Sequence, residues 1–130
     1  SGEIHEVPVI GRVAAGEPIL ATENVESTLT VDSGFVPGGN VFALKVEGDS
    51  MCNAGIFDGD YVLARQQESA QQGEIVVAVI GEEATVKRYY QEGAQVKLMP
   101  ENDAYEPILV GGSEEPFRIA GKIVGLMRRF

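Results

Sequence analysis

What the sequence lacks narrows its reading first. It has one cysteine, Cys52, and one histidine, His5. A lone cysteine cannot form an internal disulfide, and it fits a reducing compartment, so a cytoplasmic location is expected. A closed zinc site needs several Cys or His ligands, and one of each, 47 positions apart, cannot supply it. A Walker loop and a dinucleotide glycine fingerprint are both missing, so no cofactor is expected. No apolar run approaches the roughly 18 residues of a membrane helix. No basic-then-apolar segment opens the sequence, so neither a signal peptide nor a membrane partner is expected. Positive charge is scarce as well: ten Lys and Arg against twenty Asp and Glu leave a net charge of -10. Neutralising phosphates takes clustered cations, so direct nucleic-acid binding by these residues is not expected. The Arg128-Arg129 pair is too small to reverse that balance.

Helical periodicity is nearly absent, and this points to what is there. A chain of 130 residues suits one domain with its own core. Its 16 glycines predict many turns and few long helices. Phe42, Leu44 and Val46 alternate along one face of a half-buried strand. Asp58-Gly59-Asp60 is a turn signal before a second strand, 61–65. Residues 74–80 are β-branched and nearly continuous, as in a central strand. A tight turn at 81–83 returns the chain antiparallel through 84–90. Gly93 precedes another strand at 95–99, and 117–130 holds the last strand or pair of strands. Residues 51–56 are read as one short turn of helix. The fold class is mostly β: a compact antiparallel domain of several short strands. Residues 7–26, VPVIGRVAAGEPILATENVE, carry two prolines and little pattern, and read as a flexible arm or loop.

The stretch VEGDSMCNAG, 46–55, raises the question of chemistry, because Ser50 stands in a turn just after a strand. As a nucleophile it needs a base. A Ser-His-Asp triad would depend on His5, beside Pro8 in an apparent tail. The β-lactamase arrangement needs Lys three residues after Ser, where Asn53 stands. Cys52 has no evident base and reads as a small buried thiol. Lysine remains. At its ordinary pKa of about 10.4, roughly one lysine in 2,500 is neutral at pH 7. Lowering the pKa to about 7 costs roughly 4.6 kcal/mol of differential destabilisation of the ammonium, which burial can supply. Lys45 shares a face with Glu47, Lys97 sits in an alternating strand, and Lys122 follows Gly121. Lys87 follows Val86 in a strand paired with the most apolar stretch, which favours it only modestly over a solvated role.

The motifs GDSM (48–51), FDGDYV (57–62), GEIVVA (73–78), EATVKR (83–88) and LMPEN (98–102) together resemble the Ser-Lys self-cleaving repressors, the S24 peptidases. Order and spacing agree, with 37 positions from Ser50 to Lys87. GRVAAGEP, 11–18, is similar to the cleavage region of repressors of the bacterial DNA-damage (SOS) response. The resemblance implies Ser50 as nucleophile, Lys87 as general base, and Ala15-Gly16 as the bond cut within the same chain. It implies the backbone N–H groups of Asp49 and Ser50 as oxyanion-hole donors. Family members often have Met at position 49, where only the backbone is needed. Val13, Ala14 and Glu17 would contact the site from the cleavage loop, Ala14 being small enough for close approach and Val13 an apolar anchor. Residues 1–40 would hold the cleavage segment and first strands, and 41–130 the catalytic and dimerisation core of one structural domain.

Further expectations follow from the same resemblance. These include a homodimer, activation by the RecA filament on single-stranded DNA, and operator DNA bound only through an N-terminal helix-turn-helix domain not in this chain. The segment Ile119 to Met127 would be a long apolar strand whose edge needs covering. Mutagenesis proteins of the UmuD type and phage repressors share the single motifs and remain alternatives. More distant ones are a signal-peptidase-like Ser-Lys protease and a non-enzymatic β dimerisation module.

Overall fold

In the computed structural model, residues 3–14, 16–36, 38–111 and 115–130 are described. Among these residues nine strands follow in chain order: β1 (Ile4–Ile10), β2 (Val25–Asp32), β3 (Val41–Lys45), β4 (Tyr61–Gln66), β5 (Ile75–Ile80), β6 (Glu83–Glu92), β7 (Gln95–Met99), β8 (Ile108–Val110) and β9 (Phe117–Met127). Single 3-10 turns lie at Thr22–Asn24 and Cys52–Ala54. One sheet carries all nine in the order β2-β1-β3-β4-β9-β5-β6-β7-β8. Every pairing is antiparallel except β1 with β3. The mostly β expectation therefore holds, with one parallel pair added. The short helical turn falls inside the stretch assigned to it.

Strand β5 runs between β9 and β6, and its two faces pack into different apolar clusters, Val77 and Val79 in one and Val76 and Ala78 in the other, so that Val76, Val77 and Ala78 are wholly inaccessible. Strand β3 differs from the half-buried expectation. Phe42 and Val46 face one apolar cluster, while Val41 and Ala43 are buried in a second cluster with Val7, Val9 and Leu63. Both faces of β3 are covered, so simple alternation understates its burial.

The expected flexible arm is the largest correction. Val7, Val9 and Ile10 are core residues of β1, and Val13 and Ile19 are buried beyond it. Pro8 masks the strand in the sequence, since a residue without an N–H weakens a ladder. Here the register with β3 begins only at Val9, so Pro8 is accommodated beside the start of that pairing. Only the part between β1 and β2 is loop. Residues 108–110 also pair as β8, three residues too few for a pattern to show. The last segment is one strand, β9, rather than two. Its first part pairs with β5 up to Lys122, and its later part pairs with β4 through Met127. Beyond Lys122 one side of β9 has no strand partner among the described residues.

Candidate active site

Three polar or charged residues are buried among those described: Asn24, Asp60 and Lys87. Each of them organises part of the region around Ser50 or the segment proposed to be cut.

Ser50 lies in the connection between β3 and β4. That connection is closed at its base, where Val46 N–H donates to Asp60 O and Gly59 N–H to Val46 O, both at 2.8 Å. Gly48 takes a φ of 85°, a region open to glycine and costly for other residues. Its N–H donates to Asp58 Oδ1 at 2.7 Å. Met51 is buried in the same apolar cluster as Ile56 and Val86 and pins the turn to the core. The 101–102 segment supports it from the other side. Glu101 N–H donates to Ser50 O at 2.8 Å, and Asn53 N–H donates to Glu101 O at 2.8 Å. Asn102 Nδ2 donates to the Asp49 carbonyl at 2.9 Å. Arg88 extends the brace, pairing with Glu101 Oε1 and donating to Gly73 O at 2.6 Å. Peptide carbonyls of the turn are thus engaged, while the N–H groups of Asp49 and Ser50 have no acceptor among the described residues.

Lys87 stands on β6 and is 7% exposed. Its Nζ lies 3.1 Å from Ser50 Oγ, 2.6 Å from Thr85 Oγ1 and 3.1 Å from Val86 O. An ammonium has three N–H bonds, and these three acceptors match them. No salt bridge to Lys87 is found among the described residues, whereas Lys122 pairs with Glu74 at 3.1 Å. Burial pushes the Lys87 pKa below its ordinary value of 10.5, because the charged form loses water. The search for a lysine out of place in water therefore ends at Lys87, which is buried where the other lysines are not. Thr85 escaped the sequence reading. Its signal was the two-residue spacing to Lys87, which puts both on one face of the strand.

The segment with the proposed cleavage bond has its own supports. Ala15 lies outside the described residues. Around it, Glu17 N–H donates to Ala14 O at 3.2 Å, and Gly16 has a φ of 78°. Asn24 Oδ1 accepts from Ala14 N–H at 3.1 Å, and its Nδ2 donates to the carbonyls of Pro18 and Ile19 at 3.1 and 3.3 Å. Arg118 Nη2 donates to Glu17 O at 2.6 Å. Val13 is buried, while Gly16 and Glu17 are exposed. Gly16 lines a cavity of about 580 Å³ with Pro18, Ile19, Tyr89, Phe117 and Arg118; neither Ser50 nor Lys87 lines it. Ser50 and Lys87 are in hydrogen-bond contact, while Gly16 lines a separate cavity together with the start of β9. Nothing in the sequence pattern announced Asn24 or Arg118, since their partners are backbone groups 5 to 101 positions away.

His5 is on β1 and has no part in this arrangement. Cys52, expected as a small buried thiol, is only half-buried, with its Sγ 3.7 Å from Asn53 Oδ1. No group of three or more His, Cys, Asp or Glu that could hold a metal occurs among the described residues. Among them, too, no helix is long and apolar enough to cross a membrane.

Comparison with known proteins bears on the same residues. The chain is 49% identical over 127 residues to the LexA repressor of Acetivibrio thermocellus, covering 98% of this chain and 58% of the relative. It is 51% identical over 127 residues to the LexA repressor of Syntrophomonas wolfei, covering 98% and 60%. It is 50% identical over 130 residues to that of Myxococcus xanthus, covering 95% and 58%. The chain thus spans about three-fifths of the length of these relatives. Residues 8–124 match the Peptidase S24-like family, so that nearly the whole sheet and both members of the Ser50–Lys87 pair lie within the match, and the chain belongs to that family.

Proposed function

We propose that this chain is the self-cleaving half of a LexA-type repressor, a latent serine peptidase that cuts its own Ala15-Gly16 bond. One observation carries the reading: a buried lysine with no carboxylate partner among the described residues, its Nζ 3.1 Å from the hydroxyl of Ser50. When Lys87 loses its proton, two N–H bonds remain for Thr85 Oγ1 and Val86 O. The lone pair is then left facing Ser50. It takes the hydroxyl proton as Oγ attacks the Ala15 carbonyl carbon. The electron pair of the C=O moves onto oxygen, where the N–H groups of Asp49 and Ser50 can receive the negative charge. As the C–N bond breaks, the Lys87 ammonium returns the proton to the Gly16 nitrogen, leaving Ala15 esterified to Ser50. Water, deprotonated by Lys87, then hydrolyses the ester. No substrate has to diffuse in, since the bond belongs to the same chain. What is needed is for the 14–17 turn to leave its place near Arg118 and dock on the dyad.

The same proposal covers regulation. An activator with higher affinity for the docked state raises its population; for this family we infer the RecA filament on single-stranded DNA. Operator DNA would be bound by a further N-terminal domain, in keeping with the acidity of this chain. The side of β9 beyond Lys122, which has no strand partner among the described residues, supports a homodimer formed there. The location that fits such a regulator is the cytoplasm.

Mass spectrometry after incubation at about pH 10 tests the proposal. Two fragments that divide between residues 15 and 16 are expected, and Ser50→Ala should remain whole. Cleavage at another bond, or in the Ser50→Ala chain, would refute it. A single oligomeric species of monomer mass at micromolar concentration would sink the dimer.

A further inference from the structure

The hydroxyl of Tyr105 donates to Asp49 Oδ1 at 2.5 Å across 56 positions. Asn102 holds Asp49 from another direction, through its carbonyl. The two grips are joined, since Tyr105 N–H donates to Asn102 O at 3.1 Å. Asn102 Oδ1 in turn accepts from Ala104 N–H at 2.9 Å. One short stretch, 101–105, therefore engages the Ser50 carbonyl, the Asp49 carbonyl and the Asp49 carboxylate. The groups it leaves open are the N–H bonds of Asp49 and Ser50.

A carboxylate at position 49 is a hazard for those N–H groups. Aspartate side chains readily accept hydrogen bonds from nearby backbone N–H groups, in competition with other acceptors. A carboxylate turned that way would occupy the donors that an oxyanion needs. It would also place a second negative charge beside the first. A donor on the far side removes the competition.

We propose that Tyr105 is a positioning residue for self-cleavage: by donating to the Asp49 carboxylate, it keeps that group off the N–H bonds that receive the oxyanion. The inference rests on the Ser50–Lys87 reading above. It accounts for a tyrosine that is 44% exposed yet bonded to the residue just before the nucleophile. The hydrogen bond to Asp49, with that carboxylate's charge, also raises the Tyr105 pKa above its ordinary value. The donor is thus retained in the alkaline range where Lys87 is neutral and an ordinary tyrosine, of pKa about 10, begins to ionise.

Self-cleavage rates of wild type, Tyr105→Phe, Asp49→Ala and the double variant between pH 7 and 11 test this. Tyr105→Phe should lower the plateau rate about tenfold, less than the full loss of an oxyanion donor. The midpoint of the pH profile, set by Lys87, should not move. In the double variant the freed carboxylate is absent while the Asp49 N–H remains, so most of the lost rate should return. A merely structural role for Tyr105 would leave the double variant at least as slow as the single one. That result, or Tyr105→Phe cleaving at the wild-type plateau, would overturn the inference and leave the dyad standing. A wild type that does not cleave at all would overturn both.

Discussion

The turn around Ser50 and the segment around Gly16 are held in different ways. The first is fixed by backbone bonds to Glu101, by a closed strand connection and by the buried Met51. The second has backbone bonds of its own, among them Glu17 N–H to Ala14 O, but side chains tie it down: Asn24 from within and Arg118 from β9. Gly16 and Glu17 stand exposed between those supports. On the proposed function, the Ser50–Lys87 pair is preorganised at 3.1 Å, and the segment around Gly16 is the part that has to move. Self-cleavage would then be controlled by where that segment rests.

Variants can break that contrast. The largest effect should come from Lys87→Ala, which removes the base while leaving the Ser50 turn in place. Cleavage should fall below detection with the far-UV spectrum unchanged, and a normal rate would mean that the base lies elsewhere. Next, Asn24→Ala deletes a buried side chain bonded to three backbone groups on both sides of residue 15. A loss of about 1–3 kcal/mol is expected for buried groups left unsatisfied, measured by denaturant unfolding. Faster amide exchange confined to 14–19 should accompany it. Equal exchange in both regions would show that they are not independently held. Arg118→Ala should release Glu17 O and favour the docked turn, speeding self-cleavage about two- to tenfold, the range of one hydrogen bond. A slower reaction would mean that Arg118 serves the docked state instead.

The smallest effect concerns stability. Lys87 has a folded pKa below its unfolded value, so the unfolded chain binds the extra proton between the two. Stability of the wild type relative to Lys87→Met should rise as pH climbs from the folded pKa towards 10.5, and be constant above it. Asp60 is shifted in the same direction, in the acid range and from a different cause. Its bond to Arg128 holds its carboxyl below the usual range against the opposing effect of burial. That contribution is present above the unfolded carboxylate value and fades as pH falls through the folded one.

The strands that frame Ser50 and Lys87 were legible because their signals were local. Alternation marked β3 before the Ser50 turn, a β-branched run marked β5, and the return after the 81–83 turn marked β6, which carries Lys87. What stayed hidden depended on distance or on interrupted pattern. Pro8 concealed β1, and β8 was too short to leave a period. Asn24, Arg118 and Tyr105 act on partners that only the folded sheet brings near. Residue types in the turn only raised Ser50 as a question; its choice, like that of Lys87, needed family resemblance, since composition gives no measure of burial. Ala15 lies outside the described residues, so the account of its bond rests on its neighbours and on that resemblance.

The rate of self-cleavage as a function of pH, from about 6 to 11, probes the central claim most directly. A buried lysine acting as base gives a rate that rises with pH and levels off, with its midpoint below 10.5. A rate independent of pH, or an intact chain throughout, would contradict the account.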